Sequence, residues 1–260
     1  MLIRSWNLFH GNSDPPQRRG FLDEMLRIAT ADDPDVLCVQ EVPAWALGRF
    51  SAGDVAARPR IGPLPITAEI GGRLTALNHG LLRSAFSGQG NGILLAARLR
   101  ILGHSTLTLN PRSFRGHCAT ELGISFRTRL AWAKERRVVQ ALRVANGEGR
   151  TFLVANMHCT SNDDKRLPDA ELLRAARFAT TQAKPEDVVV LAGDFNLTAA
   201  APALVTLASG KWGFSAPGPG IDHVLVRGAS ATPVEVWPEA RRTIDGVVLS
   251  DHAPVEVAVE

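Results

Sequence analysis

Short apolar runs of strand length recur along the chain, and they constrain its fold more than any other feature. They are rich in β-branched residues and bounded by turn residues, which is typical of strands. The clearest are LIRSWNL, DPDVLCVQEV, NGILLAA, DVVVLAGDF, GIDHVLVRG and APVEVAVE. Some form hairpins, such as residues 136–159 around the turn NGEG, and others are separated by helical segments. Both connections in one chain require sheets packed on sheets as well as helices packed on sheets.

Helical patterns occupy several of the segments between these runs. Asp14 is expected to cap a first helix, with two prolines in its first turn and Met25 on its apolar face. Leucines at helical spacing predict a second helix over residues 74–85, and Pro168 opens a further one with an acidic first turn. Residues 110–135 are predicted to be irregular and basic. The final run alternates valine with glutamate or alanine, which predicts a half-exposed strand.

The length and composition are those of an ordinary globular protein. The chain has 260 residues, and no shift in composition marks an internal boundary, so we expect a single domain over residues 1–260. Hydrophobic residues make up 45% and charged residues 21%. The net charge of +3 permits a polyanionic partner without requiring one.

Cysteine use and hydropathy bear on the location of the protein. The three cysteines form no spaced pair, which favours a reducing compartment over a zinc site or a disulfide framework. The N-terminal segment MLIRSWNLFHG lacks the long apolar region of a signal peptide, and no apolar run is long enough to span a bilayer. We therefore expect a cytoplasmic protein with no membrane partner. The oligomeric state stays open.

Polar residues interrupt or end most of the predicted strands. Each alone has a structural explanation, since Asp and Asn form turns and a lone histidine is usually a satisfied core residue. A buried polar group without a hydrogen-bond partner costs about 1–3 kcal/mol, however. These side chains are therefore best satisfied if they lie together and form hydrogen bonds with one another. Converging carboxylates repel unless a cation lies among them, and carboxylates with carboxamides suit Mg²⁺ or Mn²⁺. The positions are Asn7, Gln40, Glu41, Asn156, His158, Asp194, Asn196, Asp222, Asp251 and His252.

The segment GDFN carries two of these residues at a spacing of two. Strand alternation predicts that Asp194 and Asn196 point to the same side, while Phe195 enters the core. A turn is an equally good explanation for this segment when it is taken alone.

The order of seven short motifs resembles the endonuclease/exonuclease/phosphatase superfamily, which includes deoxyribonuclease I and exonuclease III-like enzymes. The motifs WNL, QE, NGIL, NMH, GDFN, IDHV and SDH follow one another from Trp6 almost to the end of the chain. The resemblance implies an α/β fold, a four-layer sandwich of two mixed β-sheets packed face to face with helices outside (DNase I-like). It also implies metal-dependent hydrolysis of a phosphate ester by in-line attack of water.

The same resemblance implies a metal site. Glu41 occupies the position of the family's principal ligand for Mg²⁺ or Mn²⁺. Asn7 and Asp251 occupy positions that complete or support this site, partly through water.

Five further positions match the catalytic residues of the family. Asp194 is expected to orient or deprotonate the attacking water, and Asn196 to hold a phosphate oxygen or the surroundings of the nucleophile. His252 is expected to contact the phosphoryl oxygens, with Asp222 fixing its ring and favouring its protonated form. His158 is expected to be a second donor to the phosphoryl group. Fixed, charged donors of this kind neutralise the charge that develops in phosphoryl transfer.

Departures from the family pattern limit the substrate assignment. Phe9 replaces an acidic residue common in abasic-site endonucleases, and the segment SAPGPGID lacks their aromatic and basic residues. A dedicated abasic-site enzyme is therefore not predicted. A nucleic-acid phosphodiester is the first expectation, and a small phosphorylated metabolite or a lipid headgroup is the alternative. A non-catalytic binding protein is least expected, because every acidic and histidine position is present.

Two further segments invite a functional interpretation. The basic residues of Arg127–Arg137 could follow a nucleic-acid backbone with Trp132 as a stacking platform, although a solvated loop face is the commoner explanation. The sequence GQGNG (88–92) is interpreted as a turn, because it precedes a strand and lacks the spacing of a nucleotide-binding loop.

Overall fold

The computed structural model describes residues 1–17, 19–57, 60–61, 64–65 and 88–260. The strands are β1 (Leu2–Asn7), β2 (Ser13–Asp14), β3 (Val36–Pro43), β4 (Ala52–Ala57), β5 (Arg60–Ile61), β6 (Leu64–Pro65), β7 (Gln89–Leu95), β8 (Arg100–Thr108), β9 (Val138–Ala145), β10 (Thr151–His158), β11 (Val188–Asp194), β12 (Asp222–Arg227), β13 (Glu235–Val236), β14 (Thr243–Ile244), β15 (Val247–Leu249) and β16 (Val255–Ala258). The helices are α1 (Leu22–Thr30), α2 (Arg112–Glu121), α3 (Phe126–Ala133), α4 (Arg166–Gln182) and α5 (Pro202–Ala208).

The described residues form two large sheets. The first has the strand order β13-β16-β1-β3-β7-β4, with β1 and β3 parallel at its centre. The second has the order β12-β11-β10-β9-β8, with β10 and β11 parallel. The predicted hairpin over residues 136–159 is confirmed as β9 and β10. The apolar run of β11 is buried along its whole length, as expected for a β-branched strand inside a sheet.

The two sheets pack face to face, and helices cover their outer faces. One buried cluster joins β1, β3 and β7 to β9, β10, β11 and β12. Met25 and Ala29 of α1 pack on the outer face of the first sheet, and Leu172 of α4 and Leu204 of α5 pack on that of the second. The predicted four-layer α/β sandwich is therefore confirmed.

A buried ionic cluster ties the first sheet to α1. Arg4 of β1 is fully buried, and its guanidinium donates to Glu256 Oε2 at 2.6 Å and to Asp32 Oδ1 at 2.8 Å. Arg241 pairs with the same two carboxylates at 3.0 and 2.9 Å. The Trp237 ring lies 4.4 Å from the Arg4 guanidinium and 3.7 Å from that of Arg241. Glu256 is thus buried, and the alternation that predicted an outward-facing side chain was misleading at this position.

The first helix begins later than the sequence predicted. Ser13 and Asp14 form β2, where Asp14 pairs with Val248 of β15, so Asp14 is not a helix cap. Helix α1 begins at Leu22, and the N–H of Phe21 donates to the carbonyl of Gly11. Pairing with a distant strand has overridden the local capping signal. The helix predicted over residues 74–85 lies outside the described residues.

The segment predicted to be irregular contains two helices. Helices α2 and α3 occupy most of residues 110–135, and Ser125 caps α3 by accepting a hydrogen bond from the Thr128 N–H. Trp132 anchors this helical segment, since it is fully buried and donates from Nε1 to Glu171 Oε1 at 2.6 Å. The many exposed arginines hide the helical period, because the buried face is narrow.

The glycine-rich segment is strand, so its interpretation as a turn was wrong. Residues Gln89–Leu95 form β7 between β3 and β4. A Cβ at Gly92 would lie 2.7 Å from the Phe50 ring. Gly92 therefore lets the Phe50 ring pack closely against the backbone of β7, and close approach of this kind is a common reason for glycine inside a strand. Among the described residues, no helix combines the length and the apolar character needed to cross a membrane.

Candidate active site

Strand register gathers the predicted site residues at one edge of the sandwich. His158, Asp194 and Asp222 are direct neighbours across β10, β11 and β12. In the first sheet Asn7 is the neighbour of Gln40, at the carboxyl ends of β1 and β3. Residues separated by more than a hundred positions therefore meet where the parallel strands end, which is where α/β sheets usually place a site.

Asp194 lies at the centre of the group, with a side chain that is 2% exposed. Asn7 Nδ2 donates to Asp194 Oδ2 at 3.0 Å, which connects the two sheets. The same oxygen lies 3.5 Å from His158 Nε2 and 3.8 Å from His252 Nε2. The N–H of Asn196 donates to Asp194 Oδ1 at 2.9 Å. Burial, together with the negative charge of Asp222, raises the pKa of Asp194 to about 7.

Asp222 and His252 form a tight pair. His252 Nδ1 lies 2.7 Å from Asp222 Oδ2. Burial alone would lower the pKa of His252, but the hydrogen bond to Asp222 and the nearby carboxylates of Asp194 and Asp251 raise it to about 9. The imidazole is therefore protonated at neutral pH, and its Nε2 faces Asp194.

His158 has the opposite character. Burial and the positive charge of Arg137 hold the pKa of His158 well below its ordinary value. Arg137 Nη1 lies 3.1 Å from His158 Nδ1, and a guanidinium can only donate, so Nδ1 accepts. The neutral ring then carries its proton on Nε2, which faces Asp194 and, at 3.9 Å, Glu41 Oε1. One histidine of the site is thus cationic and the other is a neutral donor.

Glu41 lies at a bulge of β3, where the register with β7 shifts between Val39 and Val42. Its carboxylate is partly exposed, and Oε2 lies 3.1 Å from His10 Nε2. Burial would raise the pKa of Glu41, but the hydrogen bond from His10 and the positive charge of Arg137 hold it far below its usual range. Glu41 is therefore ionised at any physiological pH.

Unusual backbone conformations cluster at this site. Among the described non-glycine residues, seven have a positive φ, and five of them belong to the site or its edges: Phe9, His10, Glu41, Asn196 and Ser250. Such residues cost about 1–3 kcal/mol each and persist where surrounding contacts determine them. Ser250, for example, donates from Oγ to the Asn7 carbonyl and accepts from the His252 N–H. The strain is therefore concentrated where side chains must be aimed inward.

A close contact with the neighbouring strand explains why the GDFN segment has a glycine at position 193. A Cβ at Gly193 would lie 1.9 Å from the Met157 carbonyl oxygen, and Gly193 has a φ of +143°. Glycine alone lets β11 approach β10 closely enough to place Asp194 beside His158.

Two predicted positions differ from the expected arrangement. Strand β11 ends at Asp194, and Asn196 adopts a φ of +53°, so strand alternation does not place Asn196 beside Asp194. Its side-chain amide instead donates to the Cys159 carbonyl at 3.0 Å. Asp251 is exposed, and its nearest charged neighbours include His252 and Glu41. Phe195 is fully buried, as predicted.

The stacking role considered for Trp132 is excluded, because its side chain is fully buried. Arg127, Arg129 and Lys134 are exposed, and none of them forms an ion pair with another described residue. Lys134 lies on the wall of a pocket of about 250 Å³ that opens beside Glu41 and His158. An exposed cation, Lys134, therefore borders the site even though the predicted aromatic platform is absent there.

His10 and Arg137 are site residues that sequence reasoning missed. His10 lies in a turn after β1, outside any strand, and Arg137 is one arginine in a basic run. Gln40 and Asn156 have a structural role instead: Gln40 Nε2 donates to Asn156 Oδ1 at 2.8 Å, and Asn156 Nδ2 donates to two carbonyls of the first sheet. This amide pair holds the two sheets together beneath the site.

The donor set fits a divalent cation. Ligand atoms of Asp194, Asp222 and His252 lie within 4.8 Å of one another. His252 is bound to Asp222 and protonated, however, and a protonated imidazole has no lone pair for a metal. The ionised, partly exposed carboxylate of Glu41 is the better ligand, and oxygen donors of this kind suit Mg²⁺ or Mn²⁺.

Comparisons with known proteins bear on the family and the fold. The model of the Endonuclease/Exonuclease/phosphatase family matches residues 5–252. No curated protein matches the chain by sequence. A functionally unknown protein from Enterococcus faecalis has a similar structure, with 15% identity, a TM-score of 0.64 and coverage of 100% of this chain and 99% of that chain.

Two further solved structures belong to proteins with a known ligand or activity. D. rerio TDP2, complexed with a single-strand DNA product, has 13% identity and a TM-score of 0.61, with coverage of 100% of this chain and 98% of that chain. A mannosyl-6-phosphatase from Bacteroides thetaiotaomicron has 14% identity and a TM-score of 0.60, with coverage of 100% and 99%. At these identities the likeness concerns the fold.

Proposed function

The chain belongs to the endonuclease/exonuclease/phosphatase family, and from that premise we propose that it is a divalent-metal-dependent phosphoesterase that hydrolyses a phosphodiester by in-line attack of water. The observation that carries this proposal is the position of Asp194 Oδ2, within 4 Å of Asn7, His158 and His252. A buried carboxylate between two imidazoles is suited to hold a water molecule against an anionic phosphorus centre.

Glu41 is the main candidate to hold the metal, with Asn7 and Asp251 in support. A bound Mg²⁺ or Mn²⁺ would polarise a phosphoryl oxygen and neutralise charge that develops on it. Glu41 suits this role because its carboxylate stays ionised.

Asp194 is the candidate base. Its pKa of about 7 is close to a physiological pH, where a general base combines availability with the strength to accept a proton. Asn7 and the N–H of Asn196 hold the two carboxylate oxygens in place. Asn196 thus positions the base, and its own side chain is held by Cys159.

The two histidines are candidate donors to the phosphoryl oxygens. Protonated His252, fixed by Asp222, brings a full positive charge, and neutral His158 brings an N–H that Arg137 orients. Fixed donors of this kind stabilise a transition state because they need no reorganisation during the reaction.

A nucleic-acid phosphodiester is the substrate that we place first. The support is Lys134 on the wall of the pocket beside Glu41, the exposed cations Arg127 and Arg129 on the neighbouring helix α3, and the net charge of +3. A small phosphorylated metabolite is the second candidate. A pocket of only about 250 Å³ beside His158 favours a compact group there, and one structural neighbour is a mannosyl-6-phosphatase.

Hydrolysis of bis-p-nitrophenyl phosphate with Mg²⁺ or Mn²⁺ tests the reaction. We expect activity that EDTA abolishes and that Asp194→Asn lowers by about 10²–10⁴-fold, the usual contribution of a general base. Asp245→Asn is the matched control, because Asp245 is exposed in the β14–β15 turn and asparagine tolerates its left-handed backbone. Activity that survives EDTA, or that Asp194→Asn leaves unchanged, contradicts the proposal.

A substrate screen separates the two candidates. Single-stranded DNA, RNA, abasic DNA and hexose 6-phosphates would be compared at equal enzyme concentration and at two salt concentrations. A nuclease should prefer the polymers and lose affinity as salt rises. Turnover of the sugar phosphates alone would favour the second candidate.

A further inference from the structure

His10 places a third imidazole at the candidate active site. Its Nε2 lies 3.1 Å from Glu41 Oε2, while His158 Nε2 lies 3.9 Å from the other oxygen of the same carboxylate. The His10 side chain is 10% exposed, and its Nδ1 is buried without a hydrogen-bond partner among the described residues. No motif of the family resemblance includes this residue.

The chain builds a strained turn to bring His10 into this position. After β1, the Leu8 N–H still donates to the Gln40 carbonyl at 3.0 Å, which keeps the segment beside β3. Phe9, His10 and Gly11 then have φ angles of 46°, 57° and 78°, three successive left-handed residues. The Phe21 N–H closes the turn by donating to the Gly11 carbonyl at 2.8 Å.

An ion pair with Glu41 would not by itself account for this turn. Left-handed non-glycine residues are energetically costly, and they persist where a functional constraint or surrounding contacts determine them. A shared ligand between the two side chains accounts for it better, because a carboxylate oxygen and an imidazole nitrogen at about hydrogen-bond distance can both turn toward one cation.

We propose that His10 is a further ligand of the metal that Glu41 holds, and that its nitrogen shifts the preference of the site from Mg²⁺ toward transition metals such as Mn²⁺ or Co²⁺. This inference rests on the proposed function, since it needs the metal at Glu41. Mg²⁺ prefers oxygen ligands, whereas imidazole nitrogen suits later first-row metals, and affinity for a nitrogen-containing site rises from Mn²⁺ to Co²⁺.

Calorimetric titration with Co²⁺, Mn²⁺ and Mg²⁺ tests the proposal on protein without substrate. In His10→Asn we expect Co²⁺ affinity to fall by about tenfold or more and Mg²⁺ affinity by less than about threefold, the pattern expected from the loss of a nitrogen ligand. Asparagine is chosen because it tolerates a left-handed backbone. His104→Asn, at an exposed histidine of β8, is the matched control and should change neither affinity.

A spectroscopic measurement on the wild-type protein guards against a variant that fails to fold. Pulsed electron paramagnetic resonance of bound Mn²⁺ should reveal coupling to imidazole nitrogen, and this coupling should weaken in His10→Asn. Absence of any nitrogen coupling in the wild-type protein overturns the inference, as does an unchanged ratio of Co²⁺ to Mg²⁺ affinity in the variant.

Glu41→Gln separates the failure of this inference from the failure of the proposed function. If Glu41→Gln binds metal as tightly as the wild-type protein, the metal site of the proposed function is wrong. If Glu41→Gln abolishes binding while His10→Asn keeps the wild-type metal preference, only the role of His10 is wrong.

Discussion

At the scale of single residues, substitution of Gly193 tests whether close contact with β10 or the backbone conformation makes glycine necessary there. Gly193→Ala should lower the free energy of unfolding by more than about 3 kcal/mol or prevent folding, because the new Cβ would meet the Met157 carbonyl oxygen at 1.9 Å. Gly149→Ala is the control. Gly149 also has a positive φ, of +82°, but a Cβ there meets nothing within 4 Å, so we expect a loss of about 1–2 kcal/mol.

Urea unfolding of both variants measures these differences. Equal losses would mean that the backbone conformation, and not the approach of β11 to β10, makes glycine necessary at position 193.

The Asp222–His252 pair predicts a dependence of stability on pH. The pKa of His252 is about 9 in the folded protein and near 6.5 when unperturbed, so folding favours its protonated form. The stabilisation is fully present below about pH 6.5 and is lost as the pH rises through 9. In Asp222→Asn the His252 imidazole should titrate at least one unit lower, since one unit is about 1.4 kcal/mol of lost interaction.

Imidazole NMR titration of the protein in EDTA measures this pKa directly. Titration of His252 near pH 6.5 in the wild-type protein would show that Asp222 does not hold its proton.

The structure brings together the predicted positions at strand ends, whereas sequence reasoning missed two site residues elsewhere. Asn7, His158, Asp194 and Asp222 lie at strand ends, and the structure brings them to one edge; their catalytic roles stay predictions. Neither strand spacing nor charge could single out His10, because a left-handed turn brings it to Glu41. Arg137 differs from the exposed arginines near it only by its burial, which sequence does not reveal.

At the scale of elements, Glu171 connects the α2–α3 segment to the candidate active site. Its Oε1 accepts from Trp132 Nε1 at 2.6 Å and from Thr160 Oγ1 at 2.8 Å, and its Oε2 accepts from the Thr160 N–H. Glu171→Gln should cost about 1–3 kcal/mol of stability, because an amide NH₂ would replace one acceptor and face a donor. Glu121→Gln, at an exposed glutamate of α2, should cost less than about 0.5 kcal/mol.

Chemical denaturation of the two variants checks this prediction. If Glu171→Gln is as stable as Glu121→Gln, the three hydrogen bonds of Glu171 do not anchor the α2–α3 segment.

Element-level prediction depended on how clearly the buried face shows in the sequence. β11 was predictable because almost every residue in it is apolar. Helices α2 and α3 were missed because they bury few residues, mainly Cys118, Ala119 and Trp132, among many charged ones. The start of α1 was misplaced because pairing of Asp14 with β15 is a contact between residues far apart in sequence.

At the scale of the whole molecule, the cluster around Arg4 ties β1, β16 and the end of α1 together. Arg4→Met should cost about 3–5 kcal/mol, because among the described residues it leaves Arg241 as the sole cationic partner of the buried Glu256 carboxylate and of Asp32. Arg98→Met is the control. Arg98 pairs with Asp33 and Asp35 at the surface, so its loss should cost much less than the loss of Arg4.

Thermal or urea unfolding compares the two arginine variants. Similar small losses would mean that Arg241 and Trp237 hold the cluster together without Arg4.

The layered architecture was predictable from the mixture of hairpins and strand–helix–strand units together with the family resemblance. The strand order was not, because β16 pairs with β1 across almost the whole chain, and no local pattern encodes that pairing. The burial of Glu256 followed from the same non-local contact. A single domain over residues 1–260 stays a prediction.

The hydrogen bond from Asn7 to Asp194 joins a residue of one sheet to a residue of the other. Neither half of the sandwich can therefore display the complete set of polar groups by itself. Catalytic activity would therefore also report whether the two sheets are packed together, because a partly opened protein with each sheet intact would be inactive.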